Sequence, residues 1–328
     1  MFRLRQFVTL ARLTALEAIR RPLCLLLVTS CLVLTALVPL VLLHQFGEEG
    51  KMARDGGLAC HLVFGVFIAG YAAGSSLTRE VRVGTASAVL SKPVGRGTFF
   101  LAKFAGLAAV LLAFSFCSTL ATLLAERVSE RFAFTGRVAG NITDWQTGNL
   151  LLAAPLAAML AAALVNYFTG RPFQSAAFAF LPPALMMVLA VSGCFDRTGH
   201  FAPYSLQVQW RILPAGFLIA LALIMLSAIA LSLSTRFGTG AVTVVCACLL
   251  VLGLMSDYLL GSRATGSRAA SIAYAILPNW QHFWVADALN AGGAIPWSYV
   301  ARAAVYSAAY AGGVLCLGVL SFLSKEVA

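Results

Sequence analysis

Charge is what this sequence has least of. Only 11% of its 328 residues are Asp, Glu, Lys or Arg, whereas 60% are hydrophobic, and the mean hydropathy is +0.89. A water-soluble domain carries about 25% charged residues because its surface must face solvent. This chain cannot cover a globule of its size with polar side chains, so lipid must solvate much of it. Acidic residues are the scarcer sign, 12 against 23 basic, which leaves a formal net charge of +11. That excess does not mark a nucleic-acid partner: the cations sit in short gaps between apolar runs and form no basic domain. Membrane orientation explains them better.

Catalytic and metal motifs are missing as well. There is no GxxxxGK[ST] run to cradle phosphates, no HExxH and no GxSxG. The eight cysteines (24, 31, 60, 117, 194, 246, 248 and 316) form no CxxC and lie mostly inside apolar runs, so they read as small buried hydrophobes. Cys246 and Cys248 would point about 200° apart on a helix, a poor metal site. The four histidines (44, 61, 200 and 282) are dispersed. His44 and His61 fall at the outer ends of the first two apolar runs, where they are expected to serve as interfacial polar caps. Within the apolar runs ionisable groups are nearly absent; Asp257 lies near an outer end, and Asn166 is the main strongly polar residue. Ion-coupled carriers and intramembrane enzymes need such groups at mid-membrane, so both classes are disfavoured.

What is present is a series of apolar runs, each near the roughly 20 residues that cross a bilayer as a helix. They are 23–44, 57–78, 99–125, 148–169, 174–194, 211–233, 240–260 and 301–323. Pro182-Pro183 is expected to break or kink the fifth. Eight spans put both termini on one side. The cations of 1–22 (Arg3, Arg5, Arg12, Arg20, Arg21) and of 79–98 (Arg79, Arg82, Lys92, Arg96), with Arg171, Arg236 and Lys325, share that side, which the positive-inside rule makes cytoplasmic. Nine of the twelve acidic residues and all five tryptophans (145, 210, 280, 284, 297) fall on the other. The first run begins at Leu23 with no small-residue cleavage site after it, so the N-terminus reads as retained.

Residues 2–19 read as an amphipathic interfacial helix, with Leu4, Phe7, Val8, Ala11, Ala15, Ala18 and Ile19 opposite Arg5, Thr9 and Arg12. The stretch 261–300 is apolar but broken by Pro278, which fits an outer re-entrant or surface-lying segment. Gly70 and Gly74 form a GxxxG pattern, and Ala102 and Gly106 repeat the spacing; both are expected packing faces, for a neighbouring helix or a dimer seam. The whole reads as one all-α, polytopic membrane domain over 1–328.

The loop 79–98 is more ordered than an orientation signal requires. Arg79-Glu80 is followed by Gly84-Thr85, then ASAVL, then SKPVGRG with its Pro-initiated turn. Apolar residues within a charged frame suggest a protein contact. The run REVRVGTASAVLSKPVGRGTFFLAKF resembles the first cytoplasmic loop of type-2 ABC exporter permeases, in the multicopper-enzyme-maturation-like subfamily. The resembling positions are Arg79, Glu80, Gly84, Thr85, Leu90, Ser91, Lys92, Pro93, Val94, Arg96 and Lys103. Weaker similarity continues through LSLSTRFGTGA, ILPNWQHFWVADAL and the last span.

The resemblance implies a coupling helix at 79–98 seated on a separate cytoplasmic ABC ATPase. It further implies a smaller second contact at Thr235, Arg236, Phe237 and Gly238, a second permease copy, and placement in the bacterial inner membrane with both termini cytoplasmic. ATP and magnesium would belong to the ATPase; this chain would bind no cofactor, metal or nucleic acid. Family members commonly have six spans, so 148–194 reads as an inserted hairpin. The expected function is the permease subunit of an ATP-driven exporter. The alternatives are an ATP-independent membrane scaffold or assembly factor, or an ion-coupled secondary transporter.

Overall fold

The computed structural model describes residues 2–41, 50–83, 95–135, 138–261 and 267–324. Apolar runs with no water to satisfy their backbones must close their hydrogen bonds internally, and they do so as helices. In chain order these are α1 (Phe2–Ile19), α2 (Pro22–Val41), α3 (Lys51–Val83), α4 (Arg96–Val128), α5 (Trp145–Thr169), α6 (Phe173–Ser192), α7 (Leu213–Leu233), α8 (Thr239–Leu254), α9 (Arg268–Ile276) and α10 (Trp297–Leu323). A small antiparallel hairpin, β1 (Arg131–Thr135) and β2 (Val138–Ile142), caps the end of α4. The expected all-α membrane bundle is therefore the architecture, with one two-stranded ornament.

Among the described residues seven helices are long and apolar enough to cross a membrane, one fewer than the eight expected spans. The shortfall is α8, whose 16 residues rise about 24 Å, short of a hydrocarbon core of roughly 30 Å. A wider-wound turn at Asp257–Gly261 follows it, so the 240–260 run is helical but not one regular helix. Pro182-Pro183 do not break α6, which runs on to Ser192. In an apolar span, neighbouring helices can accommodate the lost backbone bonds.

α3 and α4 each hold 33 residues, about 50 Å of helix, and overshoot the bilayer core. α3 lies at the centre, and its small residues set its distances to three neighbours. A Cβ on Gly57 would meet Thr122 of α4, one on Gly65 would overlap Leu223 of α7, and ones on Gly70 and Gly74 would stand 3.1 Å from the Cα atoms of Thr243 and Thr239 in α8. The GxxxG pattern is thus a crossing within one chain, with two threonines four apart as its partner. Gly106 does the same for α1: a Cβ there would run into the Ala11 carbonyl, so the backbones touch. α1 accordingly packs on α4 through Leu10, Ala11, Thr14, Ala15 and Ala18, while Leu4 and Val8, assigned from the sequence to the same apolar face, are exposed. Small residues win the protein contact because only they allow that approach.

α5 and α6 form a hairpin turned at Gly170, whose φ of +67° ends α5 in a left-handed cap. Leu151, Ala154, Ala158 and Ala162 face inward, whereas Leu160, Leu164, Tyr167 and Phe168 are exposed. The 148–194 region therefore pairs chiefly with itself and leans on α2 and α4.

Candidate functional site

Each of the two stretches expected to meet a partner contributes one arginine to the same end of the bundle, Arg96 from the first and Arg236 from the second. Arg96 opens α4 and donates from Nη1 to the Leu323 carbonyl at 3.3 Å, at the end of α10. Arg236, in the turn between α7 and α8, donates from Nε to Ser321 Oγ at 3.2 Å and from Nη2 to Ser324 Oγ at 2.9 Å. Thr235 Oγ1 adds a contact to Ser321 Oγ at 3.0 Å. Both cations thus sit at the C-terminus of α10, where orphan carbonyls and the helix dipole favour positive charge. Phe322 anchors this end from below, stacked on Phe99 and tilted against Phe100 with ring centroids 6.1 and 6.0 Å away. Phe237 stands 52% exposed beside the turn, and Gly238 caps α8.

Of the other site residues, Arg79 and Glu80 lie on the last turns of α3, and Gly84, Thr85, Leu90, Ser91, Lys92 and Pro93 lie outside the described residues. What is described is the frame that holds them: the overshooting ends of α3 and α4. Lys103 is buried beneath that frame. Its Nζ donates to Ser76 Oγ of α3 at 3.1 Å and lies 5.2 Å from the Phe99 ring centroid. Arg21 fastens the turn between α1 and α2 to α3, reaching the Ser75 carbonyl at 3.4 Å and Glu17 at 2.7 Å. Sequence reasoning assigned Lys103 only to the family pattern; the signal available was its place four residues after Phe99 in an otherwise apolar helix.

The opposite end gathers the tryptophans and a buried polar network. Arg127 ends α4 fully buried, with Nε on Asp144 Oδ2 at 2.9 Å, Nη2 on the Phe195 carbonyl at 2.9 Å and Nη1 near Ser192 Oγ at 3.4 Å. Asp144 also caps α5 by accepting from the Thr147 amide at 2.9 Å. Arg131 pairs with Glu126, and Arg197 donates to the Ser129 carbonyl at 3.3 Å. Burial, and then Arg131 nearby, lower the Arg197 pKa from its ordinary value. Arg54 ties α3 to the turn at Ala286–Gly292 through the Leu289 carbonyl at 3.1 Å and Asn290 Oδ1 at 2.8 Å. In the outer stretch Trp280 is buried, its Nε1 on the Leu249 carbonyl at 2.9 Å and its ring over Gly253 of α8.

These groups lie at or beyond the helix ends, outside the apolar runs; within the runs, buried Lys103 corrects the expectation that ionisable side chains are nearly absent there. His61 corrects it further. It is no interfacial cap but fully buried between α3 and α4, edge-on to Phe114, with both ring nitrogens unpartnered among the described residues. His44 lies outside the described residues. Asn166 does not face the bundle; it is exposed and donates to the Arg171 carbonyl at 2.6 Å across the hairpin turn. Among the described residues no three of His, Cys, Asp or Glu cluster as metal ligands.

Seven apolar helices of crossing length among the described residues, in an otherwise helical bundle, define a polytopic membrane protein. Residues 19–181 match a family model described as ABC-2 family transporter protein, which supports an ABC transporter permease. The matched stretch contains α2 to α5, the first half of α6 and the whole 79–98 loop, and it stops short of the turn at Thr235–Gly238. No curated protein and no solved structure matches the chain.

Proposed function

We propose that this chain is the permease subunit of an ATP-driven ABC exporter in the bacterial inner membrane. It works as one of two permease copies on a pair of cytoplasmic ATPase subunits. The observation that carries this reading is the match over residues 19–181, which takes in the charged loop between the two longest helices. The gathering of Arg96 and Arg236 around the end of α10 adds support, since one residue from each expected contact stretch meets the same helix end.

The geometry suits transmission of force. The loop at 79–98 joins α3 to α4, and α3 touches α4, α7 and α8 through glycines that leave no slack. Closing of the ATPase pair upon ATP binding presses on the loop, α3 shifts along its axis, and its close-packed neighbours move with it. Helices that interdigitate this tightly switch between discrete packings and do not deform smoothly. Arg96 and Arg236 carry the same movement into α10. The positive-inside rule places this end, and both termini, in the cytoplasm.

The test is co-purification of the chain with the ATPase encoded beside it, comparing wild type with Glu80→Lys and Arg96→Glu. Arg171→Glu, on the exposed hairpin turn, is the charge-matched control. Wild type and control retain the ATPase and the two loop variants lose it. Retention by all four, or by none, contradicts the proposal.

A further inference from the structure

One face of α10 carries Tyr299, Arg302, Tyr306 and Tyr310 at spacings of three and four residues, so they form a single stripe. The stripe faces the outer stretch that follows α9. Tyr299 Oη donates to the His282 carbonyl at 2.9 Å and Tyr310 Oη to the Ile276 carbonyl at 2.8 Å. His282 and Phe283 lie against Tyr306 with ring centroids 6.0 and 6.1 Å away. Between these elements lies an open, largely apolar cavity of about 290 Å³, lined by His282, Tyr299, Arg302, Ala303 and Tyr306.

Arg302 is the strongly basic group in that lining. Three other cations of the crossing helices are held by partners: Arg54 has Asp55 and two oxygens, Lys103 has Ser76, and Arg127 has Asp144. Among the described residues no carboxylate and no hydrogen bond holds Arg302. It sits five residues, about 7.5 Å, past Trp297 at the start of α10. Tryptophans gather at the headgroup level, and an arginine one to two turns deeper extends its guanidinium back toward that level. A guanidinium without a protein partner, in an aromatic-walled opening at headgroup depth, is matched in charge and hydrogen-bonding shape to a phosphodiester.

We propose that this cavity binds the phosphate headgroup of an anionic phospholipid from the leaflet at the tryptophan end. Arg302 forks onto the phosphate, Tyr299 and His282 border the headgroup, and the acyl chains run down the exposed side of Tyr306. The site is independent of the coupling face and needs no ATPase.

The experiment uses the full chain purified in neutral detergent, titrated with dioctanoyl phosphatidylglycerol, dioctanoyl phosphatidylcholine or inorganic phosphate. Native mass spectrometry counts bound lipid, and the thermal unfolding midpoint gives an independent reading. Wild type is expected to hold one phosphatidylglycerol at least about tenfold more tightly than phosphatidylcholine, with a rise in midpoint. Arg302→Gln loses that preference and Arg302→Lys keeps part of it. Equal binding of the two lipids by wild type overturns the proposal without recourse to any variant. An unaltered preference in a folded Arg302→Gln protein overturns it as well, and saturation by inorganic phosphate alone would assign the site to free anion instead of lipid.

Discussion

Removing the Arg127 guanidinium should be among the most damaging single changes outside the proposed coupling face. The side chain is completely buried, and its partner Asp144 is 1% exposed. Arg127→Met keeps the length and apolar stem but strips three contacts: Asp144 at 2.9 Å, the Phe195 carbonyl at 2.9 Å and Ser192 Oγ at 3.4 Å. It also leaves the buried Asp144 carboxylate without its hydrogen-bonded cation, with Arg197 acting on it only through space. Removing one member of a buried pair costs about 3–5 kcal/mol, most of it the penalty of the stranded charge. Asp144→Asn relieves that penalty while retaining Oδ1 as acceptor for the Thr147 amide, so the α5 cap survives. The double variant should therefore be more stable than the sum of the singles implies, with a coupling of about 1.5–3 kcal/mol. The assay is equilibrium unfolding of the full chain in mixed micelles, read for wild type, both singles and the double. A loss under about 1 kcal/mol for Arg127→Met, or additive singles, would refute the reasoning that this pair locks α4 to the hairpin and to the loop after α6.

Other outcomes follow from close contacts and from titration. Gly74→Leu has no room against Thr239 and Val242 of α8 and should destabilise by about 1–3 kcal/mol in the same unfolding assay, whereas Gly313→Leu, on an open face of α10, should stay within about 0.5 kcal/mol. Arg54→Met unfastens the Ala286–Gly292 turn from α3, so limited proteolysis should cut there sooner than in wild type. Tyr274 donates to Asp257 Oδ1 at 2.6 Å, and that bond first, then burial, raises its pKa above the ordinary tyrosine value. The neutral phenol is the form the fold favours, so its contribution is complete below about pH 10 and fades as pH rises through the elevated value. Stability measured from pH 9 to 12 should fall more steeply for wild type than for Tyr274→Phe.

The sequence made the helices legible because burying backbone in lipid leaves so few options. Runs such as 23–44 and 301–323 had no alternative to a helix, and the basic and tryptophan-rich loops sorted to opposite ends. The small-residue spacing at Gly70 and Gly74 identified a crossing, but not that α8 would fill it. Partner choice depends on contacts between positions about 170 residues apart, which no local pattern encodes. The Arg127–Asp144 pair was not legible in the sequence because it exists only once β1 and β2 fold the chain back. The hairpin was missed: RFAFT and VAGNI are five residues each, too short for alternation to stand out. His61 followed the run-end logic and was misplaced by more than a turn, since α3 begins at Lys51, ten residues earlier. Arg96 and Arg236, proposed here as coupling residues, were named from a local pattern, while their shared grip on the end of α10 arises from tertiary folding.

The central claim is that the loop at 79–98 is where an ATPase drives this chain. The most direct measurement is the ATP turnover of the neighbouring ATPase in liposomes, with wild-type chain, with Glu80→Lys, and with no chain present. The account predicts stimulation by the wild type and a return to the chain-free rate with Glu80→Lys. Equal turnover in all three preparations, or undiminished stimulation by Glu80→Lys, would contradict it.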